Sequence, residues 1–586
     1  MVATDSLIAI RDTSAERQDS LPQSSPEESY YAAYTHHLIS PAGPLKNHSC
    51  LEVSHQHFLL SSTTMSRTVS IPVPGSNRSI SLQTGLFINN EFVPSVDGLQ
   101  IESINPANEQ VIAKVSSGSK KDIDIAVAAA RKAFQTTWGK NVTGFERSRL
   151  INKLADLIER DQQELAELES LDNGKPVRIA RDGDILDSIG CLRYYAGWAD
   201  KIVGQTIEVD NKSKLALTRH DPVGVCGQII PWNYPIQMWV WKVGPALATG
   251  CTIVMKPSEL TPLTALKLSE LIKEAGFPPG VLNTVPSLGS IGGAALAAHP
   301  DVDKVAFTGS TITGRKVMEA AAKSNLKKVS LELGGKSPHI VFESADLEQA
   351  AHWAGLGIFY NTGQDCTAGS RIYVQDTIYD KFISLLLKTT KELVVSHGFE
   401  EKASAGPVVS KTQFERVWNY IESGKSEGAK VLYGGEKRET AGYWVDPTSM
   451  LYFVLSFRNG YDVLRCPVFG DITPTMKIVK EEIFGPVLSV GKFSTEEEAI
   501  ALANDTSYGL GAGFHSSDAN QCMRVSSALE AGTVWVNQYN VLNNNVPFGG
   551  KKQSGIGREL GSYALEEYTS IKAIHWNFGE KLDWPF

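Results

Sequence analysis

Cys366 is the first residue in this sequence whose type and setting could do chemistry. It sits in Asn361-Thr362-Gly363-Gln364-Asp365-Cys366-Thr367-Ala368-Gly369-Ser370-Arg371, a polar run punctuated by glycine. Free cysteine is among the most buried residue types, so the default reading of a thiol is structural. The Gln, Asp and Thr neighbours depart from that default and make Cys366 a candidate nucleophile on a loop. Glu332 is the second, in Val329-Ser330-Leu331-Glu332-Leu333-Gly334-Gly335-Lys336-Ser337-Pro338, where an acid interrupts an apolar alternation. It either faces solvent from a strand or is buried near Cys366. Burial raises a carboxyl's pKa and suits it to act as a general base. One helical run separates the two groups, which can converge at the end of one sheet.

Gly309-Ser310-Thr311-Ile312-Thr313-Gly314 follows a strand-like run and suits a phosphate-facing turn. Glycine lets the backbone approach closely, and free N–H groups at the start of a helix attract anions. The spacing is not GxGxxG, and a plain turn is the alternative. Lys256 and Glu259 also lie just past a strand-like run. They are either solvated charges or a pair that binds the two ribose hydroxyls of an adenosine. A carboxylate at that place favours NAD over NADP, because it repels a 2′-phosphate.

Rigid elements must hold these groups. The cysteine loop lies between an apolar helical run, Ala351 to Tyr360, and a strand-like run, Arg371 to Val374. From Gly224 onward strands and helices alternate: Gly224 to Ile230, helix Trp239 to Ala248, Thr252 to Met255, helix Thr264 to Ala275, then Val281 to Val285 and Lys304 to Phe307. Repeated β-α units predict an α/β fold with a doubly wound parallel sheet, binding ligands beyond the carboxyl ends of its strands. Upstream, Leu86 to Ile88 and Glu91 to Val93 flank Asn89-Asn90 as a hairpin. Ile101 to Val115 shows further strand pattern, and helices are predicted over Asp122 to Phe134, Phe145 to Leu171 and Asp182 to Lys201.

At 586 residues the chain is too long for one core and calls for two or more domains. The net charge of −9 is spread along it with no basic run, so no nucleic-acid partner is expected. Seven scattered cysteines without a CxxC pair support neither a disulfide framework nor a zinc site. No metal is expected, and reduced thiols fit a cytoplasmic location. The absence of a run of about 18 apolar residues predicts no transmembrane helix and no membrane partner. Residues 1–83, rich in Ser, Pro, Gln and His, read as a disordered extension without the pattern of a secretory or mitochondrial signal. Met65 is an alternative start.

Seven motifs then occur in order: Pro231-Trp232-Asn233-Tyr234-Pro235, Met255-Lys256-Pro257-Ser258-Glu259, Phe307-Thr308-Gly309-Ser310-Thr311, Leu331-Glu332-Leu333-Gly334-Gly335-Lys336, Gly363-Gln364-Asp365-Cys366, Glu481-Glu482-Ile483-Phe484-Gly485-Pro486 and Pro547-Phe548-Gly549-Gly550. Together they resemble the NAD(P)-dependent aldehyde dehydrogenase superfamily, most closely its broad-specificity acetaldehyde and retinal-type class, from about residue 84 to the C-terminus. The resemblance implies NAD-dependent oxidation of an aldehyde to a carboxylic acid through a cysteine thiohemiacetal and thioester. Cys366 would be the nucleophile, Asn233 the oxyanion donor and Glu332 the base that activates water, with Lys242 assisting proton movement. Ile230, Pro231, Trp232, Lys256, Ser258, Glu259, Gly289, Gly293, Phe307, Gly309, Ser310, Gly314, Leu333, Glu482 and Phe484 would hold the cofactor. Tyr234, Met238, Trp241, Leu542 and Phe548 would line the aldehyde tunnel, their alternative being ordinary core. Such a lining favours small aliphatic or aromatic aldehydes over charged ones.

The resemblance also implies a Rossmann-like NAD-binding domain over 84–203 and 223–334, and an α/β catalytic domain over 335–553. A small β oligomerisation region would comprise 204–222 and 554–586, giving a homotetramer in preference to a dimer. The sequence departs from the family pattern at Asp365, in the N-terminal extension, and in an apolar insert of about twenty residues, Ser449 to Val468. Translated noncoding sequence is the expectation for that insert. Two further readings remain open: an acyl-transferring relative, against which Glu332 argues, and an inactive product of the insert.

Overall fold

The computed structural model describes residues 68–438, 440–445, 468–470, 472, 474–584 and 586. Cys50, Cys466, the first 67 residues of the expected extension and residues 449–467 of the expected insert lie outside them; Val468 opens a strand.

Five parallel strands form the middle of an eight-stranded sheet: Val225–Ile229, Thr252–Lys256, Leu282–Thr284, Lys304–Thr308 and Lys328–Glu332. Every residue of Val225–Ile229, Thr252–Lys256 and Lys304–Thr308 is buried, as expected of strands covered on both faces. From Val225–Ile229 the chain steps outward to Thr252–Lys256 and Leu282–Thr284, then returns to Lys304–Thr308 on the opposite side. This reversal makes a crevice at the carboxyl ends of Val225–Ile229 and Lys304–Thr308. The chain leaves those ends into Ile230-Pro231-Trp232-Asn233 and Gly309-Ser310. The helix Pro235–Thr249 carries Pro at its start, where a missing N–H costs nothing, and is closed by Gly250 at φ 93°.

A seven-stranded sheet repeats the scheme. Its parallel strands run Val468–Gly470, Leu488–Phe493, Arg371–Gln375, Pro338–Val341, Gly511–His515 and Thr533–Val536, with Lys430–Tyr433 antiparallel at one edge. A third sheet joins Thr569–Asn577, Lys214–Pro222 and Thr206–Ile207. The chain is thus α/β, as its alternating pattern predicts.

Four expectations are corrected. Residues 68–83 are not a disordered tail: Thr68–Pro72 pairs antiparallel with Ser79–Gln83, and Ile71, Ile80 and Leu82 are buried. The helix expected over Phe145 to Leu171 is two, Gly144–Arg160 and Gln162–Asn173, broken at Asp161. The boundary at 554 is also displaced. Gly555–Ile556 pairs with Leu331 and Glu332 in the eight-stranded sheet, so the C-terminal sheet strand begins only at Thr569. Finally, Glu332 and Cys366 do not meet at the end of one sheet. Glu332 ends a strand of the eight-stranded sheet, whereas Cys366 precedes Arg371–Gln375 of the seven-stranded one.

Candidate active site

Cys366 owes its position to a helix that ends abruptly. Leu347–Phe359 starts on Asp346, whose carboxylate accepts from Glu348 N at 3.1 Å and Gln349 N at 3.2 Å. Beyond it Asn361, Thr362 and Gly363 are all left-handed, with φ of 50°, 57° and 68°. Two of them are not glycine, and that conformation costs about 1–2 kcal/mol per residue. Side-chain bonds offset the cost. Asn361 Nδ2 donates to Asn233 O at 2.9 Å and Gln364 O at 3.2 Å, Thr362 Oγ1 donates to Gly406 O at 2.9 Å, and Gln364 Oε1 accepts from Val409 N at 2.9 Å. A Cβ on Gly363 would stand 2.3 Å from the Gly485 backbone, so the loop also sits directly against the segment that carries Glu482 and Phe484.

The Cys366 thiol opens onto a cavity of about 490 Å³. Burial pushes the thiol pKa up, and the carboxylates of Asp365, Glu332 and Glu482 push it further. The Asp365 carboxylate is itself engaged. Its Oδ1 accepts from Thr367 N at 3.0 Å, and its Oδ2 from the Tyr234 hydroxyl at 3.0 Å and Asn540 Nδ2 at 2.6 Å.

Asn233 reaches the same place from the other sheet. Its Nδ2 donates to Gln364 O at 3.1 Å, which leaves the second amide hydrogen for another acceptor. Its own carbonyl accepts from Asn361 Nδ2 and from Asn173 Nδ2 at 3.3 Å. Glu332 is only 5% exposed, and neither carboxyl oxygen has a hydrogen-bond partner. Burial raises its pKa well above the usual carboxylate range, and the neighbouring Glu559 adds to the effect. Glu559 is ion-paired with Lys242, whose Nζ also donates to Thr308 Oγ1 at 2.7 Å.

Toward the crevice, Glu482 Oε1 accepts from Gly335 N at 2.8 Å, and burial raises the Glu482 carboxyl. Phe484, at φ 61°, meets Trp232 edge-on with centroids 5.2 Å apart. Lys256 Nζ donates to Glu259 Oε2 at 2.7 Å, and Gly289 N donates to Glu259 Oε1 at 3.5 Å. The backbone beside this pair is open, since a Cβ on Gly293 would meet nothing within 4 Å. Ser310 caps the helix Thr311–Ser324 by accepting from Thr313 N at 3.3 Å.

The cavity brings together Cys366, Glu332, Asn233, Pro231, Trp232, Gly309, Ser310, Leu333, Glu482 and Phe484, with all five expected tunnel residues. Lys256, Glu259 and Gly289 instead form a cluster of their own at the edge of the crevice. Ile230, Ser258, Gly293, Phe307 and Gly314 do not line the cavity. Gly314 faces protein: a Cβ there would stand 2.5 Å from Leu333, so its smallness serves packing. The structure adds Asp187, Gln237, Tyr360, Arg416, Asn540 and Glu559, which no motif marks. The tunnel is therefore less apolar than its five expected residues alone. Gln237 was within reach of a periodicity argument, lying on the same helix as Met238 and Trp241.

The aldehyde dehydrogenase family pattern matches residues 92–453 and 455–574. The chain belongs to the aldehyde dehydrogenase family. Among curated relatives, the aldehyde dehydrogenase of Emericella nidulans is 55% identical over 498 residues, covering 85% of this chain and 96% of that protein. The mitochondrial aldehyde dehydrogenase of Homo sapiens is 49% identical, covering 86% and 94%. Among solved structures, the NAD+ complex of aldehyde dehydrogenase from Bacillus cereus is 51% identical, with a TM-score of 0.80 over 85% of this chain and 97% of that one. The betaine aldehyde dehydrogenase of Staphylococcus aureus in complex with NAD+ is 39% identical, with a TM-score of 0.81, covering 86% and 97%.

Proposed function

We propose that this chain oxidises a small aliphatic or aromatic aldehyde to its carboxylic acid with NAD, through a thioester on Cys366. The observation that carries the reading is that Cys366, Asn233 and Glu332, delivered by different elements, open onto one cavity. The Cys366 thiolate adds to the carbonyl carbon to give a thiohemiacetal. The free hydrogen of the Asn233 amide and the backbone N–H of Cys366 hold the oxyanion, fixed donors where charge develops. Glu332, as carboxylate, takes a proton from the water that attacks the thioester, releasing the acid and regenerating the Cys366 thiolate. Lys242 and Glu559, paired beside Glu332, carry that proton away from the cavity.

A bound NAD would supply the acceptor for the hydride that leaves the carbon attached to Cys366. The residues present fit it. The open backbone at Gly289 and Gly293 and the capped helix start at Ser310 suit the pyrophosphate. The Lys256–Glu259 pair suits the adenosine ribose, and Glu259 disfavours a 2′-phosphate. Glu482 would bind the nicotinamide ribose, and Phe484 would flank the ring. For assembly, a homotetramer through the three-stranded sheet is supported by Ile571 and Trp576, 68% and 60% exposed on its long strand. The five described cysteines are unpaired, which supports a reducing, cytoplasmic location.

The test is NADH formation at 340 nm with propanal. Activity that vanishes in Cys366→Ala supports the reading, and activity that survives in that variant refutes it. Light scattering tests the tetramer.

A further inference from the structure

The two oxyanion donors come from different sheets. Asn233 follows the strand Val225–Ile229 of the eight-stranded sheet, whereas the Cys366 backbone precedes Arg371–Gln375 of the seven-stranded one. The donors converge on one oxygen only if the segments that carry them are held in register. One side chain ties those segments together at Asn233 itself. Asn361 Nδ2 donates to the Asn233 carbonyl at 2.9 Å and to the Gln364 carbonyl at 3.2 Å. The Asn233 side chain donates to that same Gln364 oxygen at 3.1 Å. The two amides thus occupy both lone pairs of one acceptor, which fixes the way the Asn233 amide faces.

Packing alone does not account for Asn361. It is buried, yet its Oδ1 has no hydrogen-bond partner, and an unpaired buried carbonyl oxygen is costly. Its backbone is left-handed at φ 50°, a strained state of the kind held at functional sites. An apolar residue of similar size would avoid the unpaired oxygen, so what the amide adds is its two donations. On the other side, Asn173 Nδ2 donates to the Trp232 carbonyl at 2.8 Å and to the Asn233 carbonyl at 3.3 Å. Asn173 braces the Asn233 segment, and Asn361 ties it to the nucleophile loop. Tyr234 also crosses between the segments, donating to Asp365 Oδ2 at 3.0 Å, but that bond touches neither Asn233 nor the Cys366 backbone.

We propose that Asn361 is a positioning residue for oxyanion stabilisation. Its amide locks the Asn233 donor to the nucleophile loop, so that both donors face the oxygen of the carbon that Cys366 attacks. This deepens the reading of the preceding section and rests on it. A misplacement of about 1 Å can cost about a hundredfold in rate, and loss of one oxyanion donor about 10²–10³. Removing the Asn361 amide frees the Asn233 donor without deleting it. The cost should therefore lie between about tenfold and about a hundredfold, and fall on the steps up to hydride departure.

The test is a double-mutant cycle, read by stopped-flow absorbance at 340 nm on the first turnover of propanal. Asn361→Gly removes the amide, and glycine takes the left-handed backbone without strain. It should slow first-turnover NADH formation about tenfold or more. Cys366 alkylation by iodoacetamide should stay within about twofold of wild type, because the thiol keeps its surroundings. In an Asn233→Ala background the same change should cost less than about twofold, since its effect runs through Asn233. An amide with a merely structural role would disturb alkylation or slow both backgrounds alike. Either result, or no slowing at all, overturns the inference. Asn361→Asp keeps the size and the left-handed tolerance but puts an oxygen where the donor stood. It decides by the same criteria if the glycine variant does not fold, and unfolding of both overturns the inference. If Asn233→Ala is as fast as wild type, or if propanal yields no NADH, the preceding reading falls and takes this one with it.

Discussion

Replacing Glu332 by Gln separates the two halves of the proposed cycle. Neither oxygen of Glu332 has a hydrogen-bond partner, so the isosteric amide forfeits no native bond and the change acts through charge alone. A positioned general base contributes about 10²–10⁴-fold, which corresponds to about 3–5 kcal/mol of barrier. Glu332 is needed only after the hydride has left, so the first turnover should survive. Stopped-flow absorbance at 340 nm should show a burst of about one NADH per active site, then turnover slowed by that factor. Because burial holds the Glu332 carboxyl above its ordinary range, wild-type turnover should rise with pH through that raised pKa, and the rise should vanish in the variant. Stability follows the same sign. A carboxyl whose pKa is raised by folding stabilises the fold fully at low pH, and that contribution is lost as pH climbs through the raised pKa. The thermal midpoint of Glu332→Gln should therefore gain on wild type as pH increases. Steady-state turnover within about threefold of wild type, with no burst, would refute the assignment.

Three further outcomes are expected. Asp365→Asn should move the pH profile of Cys366 alkylation by iodoacetamide toward lower pH, because a carboxylate that opposes thiolate formation is gone; an unmoved profile would show the charge to be irrelevant to the thiol. Asn233→Ala should lower kcat by about 10²–10³ while the fold is retained in circular dichroism. Gly363→Ala combines positive φ with a Cβ placed 2.3 Å from the Gly485 backbone. It should cost about 2 kcal/mol or more in chemical denaturation, and a midpoint equal to wild type would contradict the described loop.

Much of the scaffold is legible in the sequence, because the central strands are unbroken apolar runs that end in polar motifs. The carboxyl-end placement of Asn233 and Gly309 follows from that pattern. What periodicity does not convey is which sheet each strand joins, and so Glu332 and Cys366 come together across two sheets. The hairpin of residues 68–83 carries a clear alternation in Val69, Ile71, Ile80 and Leu82, but the polar composition of its surroundings hides it. The break at Asp161 has no glycine or proline to announce it. Gly314 fits a phosphate turn by type yet serves helix packing, since sequence does not say which face a glycine presents. Asp187 is the most instructive omission. An acid within a helical run reads as a solvated face until the fold shows it turned into the tunnel.

The three left-handed residues before the nucleophile bear on how the enzyme is made. The bonds of Thr362 and the adjoining Gln364 run to Gly406 and Val409, 44 and 45 residues further along, and the packing of Gly363 to Gly485. A nascent chain that has emerged only as far as Cys366 lacks these three partners and keeps only the Asn361 bonds to Asn233 and Gln364 to hold the loop. The thiol therefore meets Asn233 and Glu332 only when both α/β halves have been synthesised and docked. Until then it is an ordinary cysteine, and the chemistry waits on residues far downstream of the nucleophile.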